Sequence, residues 1–180
     1  MRSRRTDERI LEQNFDRYHP DMESFHHGMR TNPCFVCEIV EGTNEFPQYF
    51  VYEDEKAVAF LDAFPRVYGY VLVAPKEHRE QVTGDFTVDE YLDLQRIVHR
   101  VSEAVREEVG AERMYLYTFG SNQGNAHIHW HAVPLPPGVP YEDQQGAWAS
   151  WSMGVLEIPP QEMASLAARI GRRMEKMEGA

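Results

Sequence analysis

One change of period constrains this chain more than any other feature. Behind Thr87, the residues Val88, Tyr91, Leu92, Leu94, Ile97, Val98, Val101, Ala104 and Val105 form an apolar stripe at helical spacing. Thr87 and Glu90 make a capping-box pattern at its start, and Gly110 stands where it stops. The spacing predicts one helix of about five or six turns. On both sides short apolar runs replace it. Residues 49–52 and 57–61 are split by Glu53-Asp54-Glu55-Lys56 and read as a hairpin of two strands. Residues 70–74 form a third strand, stopped by Pro75. Residues 114–119 and 127–133 form two more, and Pro134 to Pro140 breaks the pattern. Residues 141–158 read as irregular. Pro159-Pro160 then opens a last helix with Met163, Leu166, Ala167, Ile170, Met174 and Met177 on one face. Consecutive strands joined by short turns pair antiparallel. The expected fold class is α+β: an antiparallel sheet of about five strands, one long helix between strands three and four, and a C-terminal helix.

The start of the chain has a different texture. Ile10, Leu11, Phe15 and Tyr18 recur at helical spacing and suggest a short docked helix. Residues 19–33 are polar and read as a loop, with His26 and His27 solvated. Residues 1–30 carry six basic and six acidic groups, so the whole net charge of −11 lies in residues 31–180. That acidity excludes coating nucleic acid as a main role, because phosphates require opposing Lys and Arg. No apolar run approaches the roughly 20 residues that span a membrane. The early arginines are followed by acids, unlike a secretory signal. Two cysteines exclude a disulfide scaffold. A soluble cytoplasmic protein is expected.

The densest chemistry is His127-Ile128-His129-Trp130-His131. On a strand, alternate side chains share a face, so all three imidazoles point one way. Two uses of such a row compete. The three rings could bind a hydrolytic metal, although catalytic zinc usually draws ligands from separated elements, often with a carboxylate, and none of residues 127–135 is acidic. Alternatively the central imidazole attacks phosphorus while its neighbours set its tautomer and serve the leaving group.

His127-Ile128-His129-Trp130-His131-Ala132-Val133 resembles the signature of the histidine triad superfamily. Cys34-Phe35-Val36-Cys37-Glu38-Ile39-Val40-Glu41-Gly42 resembles the start of its zinc-carrying branch. Tyr52-Glu53-Asp54-Glu55 with Ala59-Phe60-Leu61-Asp62 resembles its first hairpin, and Gly69 to His78 its third strand and exit. The resemblance divides the chain into an arm (1–33), a histidine triad domain (34–137) and a C-terminal extension with a helix (138–180). It implies a hydrolase or transferase of nucleoside phosphoramidates or dinucleoside polyphosphates, acting at the α-phosphate, and a homodimer. It implies that His129 is the nucleophile and that His127 and His131 position charge and serve the leaving group. His131 favours the hydrolase-like branches, since the hexose-1-phosphate uridylyltransferase branch has Gln there. Asp62 would hold ribose hydroxyls, as a carboxylate can accept two such bonds. Phe60 and Ala63 would line the base pocket.

The phosphate loop departs from the family. Gly120-Ser121-Asn122-Gln123-Gly124-Asn125-Ala126 runs directly into His127. Without a gap, Gln123 keeps the family's Gln and Gly124 replaces its Ser or Thr. With a gap, Asn122-Gln123-Gly124 matches an upstream Asn-x-Gly and the loop is shortened. Either way Gly124 permits a tight turn that offers N–H groups to an anion, beside Ser121, Asn122, Gln123 and Asn125. Tyr70 also departs, since the family commonly has His after Gly69. Cys34 and Cys37 give two metal ligands, and the resemblance adds His78 and His127 to complete a structural zinc site. Two reduced thiols or a redox pair are the other readings of the cysteines. His99 reads as a helix residue only. A nucleotide-binding or scaffold protein without turnover is the alternative to an enzyme. The acidic domain lacks a broad positive field, so its anionic substrate must be held by short-range groups.

Overall fold

The computed structural model describes residues 15–119, 125–146 and 149–178. Its centre is a five-stranded antiparallel sheet in the order β2-β3-β4-β6-β5. The strands are β2 (Phe50–Glu53), β3 (Ala57–Leu61), β4 (Val71–Pro75), β5 (Arg113–Tyr117) and β6 (Trp130–Leu135). A separate two-stranded sheet joins β1 (Arg17–Tyr18) to β7 (Val155–Leu156). The helices are α1 (Met22–Thr31), α2 (Phe35–Glu41), α3 (Val88–Val109) and α4 (Pro160–Glu178). The expected α+β class, strand number, long helix between the third and fourth sheet strands, and terminal helix are all present.

The sheet is covered on both faces, which explains why β3 and β4 read as unbroken apolar runs. Ala57, Ala59, Leu61, Val71, Val73, Ile128, Trp130 and Ala132 pack with Leu94, Val98, Val101 and Val105 of α3 and with Met163, Leu166, Ile170 and Met174 of α4. Val58, Phe60, Tyr70, Leu72, Ala74, Val133 and Leu135 pack on the other side with Val36 and Ile39 of α2. The long helix starts as its sequence requires. Thr87 accepts from the Glu90 N–H, and the Glu90 carboxylate accepts from the Thr87 N–H. It ends at Gly110 in the left-handed conformation (φ 64°). Charged side chains clamp α4 to α3: the carboxylate oxygens of Glu108 each accept a 2.6 Å bond, one from Arg169 and one from Arg173.

Five expectations change, the first being that residues 141–158 are not wholly irregular, because they contain β7 paired with β1. Residues 19–33 contain α1, not only a loop. Asp21 caps it through the Glu23 N–H and the Ser24 hydroxyl, a cap signal in a stretch otherwise too polar to show a stripe. The helix expected around Ile10 to Tyr18 lies partly outside the described residues, and its described end is extended, with Tyr18 paired to Val155. The fifth strand begins at Trp130, not at His127. The three residues before it leave the ladder because the Ile128 N–H donates to the Arg79 carbonyl (2.7 Å), beyond the end of β4. Pro134 does not break β6, which runs on to Leu135. The last pair with β4 is Val71 with Ala132, so Pro134 lies where β6 is already an edge on that side and its missing N–H disturbs less of the ladder.

Leu166 is fully buried between α4 and the sheet. Leu166→Ala should destabilise the fold by about 2–5 kcal/mol. A urea titration checks this through a lower midpoint at unchanged slope.

Candidate active site

Register builds the site. On the face opposite α3, the pairs Phe50–Phe60, Phe60–Leu72, Leu72–His131 and His131–Tyr117 run in one row across all five strands. His131 is therefore placed on the sheet by the same ladder that buries Trp130 and Ala132 behind it. A cleft of about 860 Å³ opens over this row. Phe60, Asp62, Ala63, Arg66, Tyr70, Tyr117, Asn125, His129 and His131 line its floor and sides. Phe25 and Met29 of α1, Phe35 and Ile39 of α2, and Trp151 line the rest.

The central histidine is held in one tautomer. His129 Nδ1 lies 2.8 Å from the His127 carbonyl oxygen. A carbonyl can only accept, so Nδ1 carries the proton and Nε2 keeps its lone pair. Phe35 stands edge-on to the ring at 5.2 Å. His129 is 4% exposed, and burial lowers its pKa from the ordinary histidine value. The result is a neutral, oriented imidazole with a free nitrogen in a cleft.

His127 has another setting. Its Nε2 is 3.0 Å from the Pro75 carbonyl and so donates, which leaves the Nδ1 lone pair free. That nitrogen faces Cys34 Sγ at 3.4 Å and Cys37 Sγ at 3.6 Å. Cys37 Sγ is also 3.3 Å from His78 Nδ1. The donor atoms of Cys34, Cys37, His78 and His127 all lie within 4.8 Å of one another. A tetrahedral zinc ion with bonds of about 2.3 Å to sulfur and 2.0 Å to nitrogen would hold S and N donors roughly 3.6 Å apart. The four donors fit that group, and the Pro75 carbonyl is the partner a zinc-bound imidazole needs on its other nitrogen. Burial and the neighbouring Cys34 push the Cys37 thiol up to about 11. His127 does not line the cleft, so its side chain serves the cysteine cluster while its carbonyl serves His129.

Asp62 is buried and both its oxygens are engaged: Oδ1 accepts from the Phe64 N–H (2.9 Å) and Oδ2 from Arg66 (2.9 Å). The Arg66 guanidinium lies over the Tyr70 ring at 4.3 Å and over the Trp151 ring at 4.6 Å. His131 Nδ1 is 2.9 Å from the Tyr70 hydroxyl, and its pKa is lowered to about 3 by burial, then by His129 and Arg66. Of the loop residues singled out in the sequence, Asn125 lines the cleft, whereas Ser121, Asn122, Gln123 and Gly124 lie outside the described residues. Sequence reading missed Arg66, Tyr117, Phe35 and Trp151. Tyr117 was legible through strand alternation, two residues from the end of its apolar run. Arg66 carried no signal beyond standing one turn after Asp62.

Comparison with known proteins decides the family. A family model, the HIT domain, matches residues 43–137, more than half of the chain. The chain belongs to the HIT (histidine triad) family. The protein Hit of Bacillus subtilis is 30% identical over 146 residues, 78% of this chain and 94% of that protein. An adenosine 5′-monophosphoramidase of Schizosaccharomyces pombe is 27% identical over 79% of this chain and 98% of its own length. Among solved structures, a hypothetical histidine triad nucleotide-binding protein of Sulfolobus tokodaii is 29% identical with a TM-score of 0.64, over 81% of this chain and 94% of that one. A zinc-bound histidine triad family protein of Mycobacterium smegmatis shares the HIT fold at 24% identity and a TM-score of 0.62, over 81% and 96%.

Burial of His131 makes stability depend on pH. A folded pKa below the unfolded value of about 6.5 gives stability that is present above pH 6.5 and lost as pH falls toward the folded value. Denaturant titrations should therefore show falling stability from pH 6.5 to pH 5, with about 1.4 kcal/mol per pH unit less slope in His131→Gln. An equal slope in both proteins contradicts the burial argument.

Proposed function

We propose that this HIT protein hydrolyses a nucleoside phosphoramidate or dinucleoside polyphosphate at the α-phosphate through a covalent nucleotidyl-His129. The observation that carries this reading is the hydrogen bond from His129 Nδ1–H to the His127 carbonyl, which leaves Nε2 as a neutral nucleophile in the cleft. In the first step, Nε2 bonds to phosphorus and the bond from phosphorus to the leaving group breaks. In the second, water attacks phosphorus, the P–N bond to His129 breaks, and a nucleoside monophosphate leaves. Splitting the reaction in this way keeps each displacement short and oriented. The phosphoramidase activity of the fission yeast relative supports the same class of reaction.

The remaining roles follow from position. Asp62 accepts ribose hydroxyls with the lone pairs that Phe64 and Arg66 leave free, since each carboxylate oxygen offers two. Phe60, Ala63, Phe35 and Ile39 enclose the base. Asn125, which lines the cleft, contacts the phosphate. His131 faces the leaving group, and His127 acts through its carbonyl. Cys34, Cys37, His78 and His127 would hold a structural zinc, whose contribution when bound is to fix α2 and the residue 127–129 segment to each other. That keeps Phe35 on His129. The three histidines do not form one catalytic metal site, because His127 Nδ1 faces the cysteines and His131 Nδ1 faces Tyr70. A homodimer would use the exposed edge of β5, with Leu116, and the exposed Val88 and Leu92 of α3. No helix among the described residues is long and apolar enough to cross a membrane.

A substrate panel tests the proposal. Wild type should release nucleoside monophosphate from phosphoramidates or dinucleoside polyphosphates, and His129→Ala should be slower by roughly 1,000-fold or more. Metal analysis of the same sample should find one zinc per chain, lost in Cys37→Ser. Binding without turnover across the panel would make the protein a nucleotide-binding module, and unchanged turnover in His129→Ala would remove the covalent mechanism.

A further inference from the structure

Two phenols meet at the same imidazole. The Tyr70 hydroxyl, from the residue before β4, lies 2.9 Å from His131 Nδ1 and 2.7 Å from the Tyr117 hydroxyl of β5. The Tyr117 ring stacks on His131 at 4.8 Å and 21°, while Tyr70 stands steeply to it at 5.7 Å. Tyr70 is 1% exposed and Tyr117 is partly exposed, so the line runs from the cleft wall into the protein and back toward water. Gly69 makes this placement possible. It turns at φ 84°, and a Cβ there would meet Val109 Cγ1 at 2.7 Å. The titratable and charged groups acting on His131 are Tyr70, Tyr117, His129 and Arg66, the last paired with Asp62.

We infer that Tyr70 is a positioning residue that decides which nitrogen of His131 carries the proton, and that the Tyr117–Tyr70–His131 line serves a leaving group that must take a proton as it departs. The inference rests on the nucleotidyl-transfer reading of the site and adds to it the residue that fixes the His131 tautomer. Tyr117 O–H donates to the Tyr70 oxygen, and Tyr70 O–H donates to Nδ1. His131 then carries its own proton on Nε2. Burial holds the Tyr70 hydroxyl well above the ordinary phenol range, so in the resting site it is a donor.

The proton count closes. As the P–N bond of the substrate breaks, its electron pair passes to the amine nitrogen, which takes the Nε2 proton. Nδ1 takes the Tyr70 proton, the Tyr70 oxygen takes the Tyr117 proton, and solvent water returns a proton to Tyr117; the hydroxide left behind is neutralised by the proton that the attacking water loses in the second step. The Arg66 guanidinium over the Tyr70 ring offsets negative charge on the phenols during the shift. A leaving group that departs as a stable anion does not need this line. An amine does, because an amide anion is too basic to leave.

The test compares Tyr70→Phe with wild type on two adenosine 5′-phosphate derivatives, an alkyl phosphoramidate and a p-nitrophenyl ester. Turnover of the phosphoramidate should fall by roughly 100-fold through kcat, and that of the ester by less than about threefold. Tyr70→His, which restores a donor, should recover part of the loss. Imidazole nitrogen NMR should show His131 protonated on Nε2 in wild type and shifted toward Nδ1 in Tyr70→Phe. Tyr117→Phe interrupts the line one step further out and should show the same selectivity, which covers a Tyr70 variant that does not fold. Equal loss on both substrates, or an unchanged tautomer, overturns the inference. If wild type turns over neither substrate, the hydrolase reading fails instead, and the tautomer measurement still decides what Tyr70 does.

Discussion

Ile128, Trp130 and Ala132 are buried between the sheet and α3, and everything at the site depends on that anchorage. Trp130 meets Phe86 and Tyr91 edge-on, so the strand cannot slide or roll without opening an aromatic contact. With the even positions fixed inward, the odd ones point to the other face. A one-residue slip would bury three imidazoles among aliphatic side chains and expose the tryptophan. The chemistry of His129 and His131 therefore draws its orientation from packing on the far side of the sheet. His127 adds a second restraint, because its ring joins the cysteine cluster while its carbonyl fixes the tautomer of His129.

Segments on either side of the family-matched region also meet at this site. Arg17 donates to the carbonyls of Arg66, Met153 and Gly154, and β1 pairs with β7. Phe25 of α1 packs on Trp151 at 4.7 Å and on Phe64 at 5.5 Å. None of the residues of α1 is buried, yet Phe25 and Met29 face the cleft, so the helix is held by its edge contacts and forms an outer wall. Both segments lie outside the region matched by the family model. They give this cleft aromatic walls, and Trp151 packs against the buried Arg66 guanidinium in a chain whose net charge is −11. Short-range groups of this kind, rather than a long-range positive field, must hold an anionic substrate here.

The sequence was most informative where one local rule acted alone. The capping box at Thr87, the stop at Gly110 and the hairpin of β2 and β3 follow from residue type and period, and the structure contains each of them. The alternation of residues 127–132 also predicted the correct faces, although the strand itself begins only at Trp130. The tertiary surroundings hid the rest. α1 has no apolar stripe and exists through its cap and a few aromatic contacts. The Asp62–Arg66 pair, the Trp151 stack on Arg66 and the two phenols on His131 join residues from different elements. No spacing rule connects them. The cluster of Cys34, Cys37, His78 and His127 lies between these cases: the Cys34–Cys37 spacing is local, but His78 and His127 reach it only because β4 ends at Pro75 and its exit runs beside the residue 127–129 segment.

In the proposed reaction, burial and one carbonyl make His129 a neutral nucleophile toward phosphorus. The direct measurement is acid-free quenching of wild type with a slowly released nucleotide substrate, followed by intact mass and peptide mapping. One added nucleotidyl mass per chain is expected, located on His129 and removed by further incubation in water. Turnover with no adduct on His129, or an adduct on another residue, would contradict the proposed reaction.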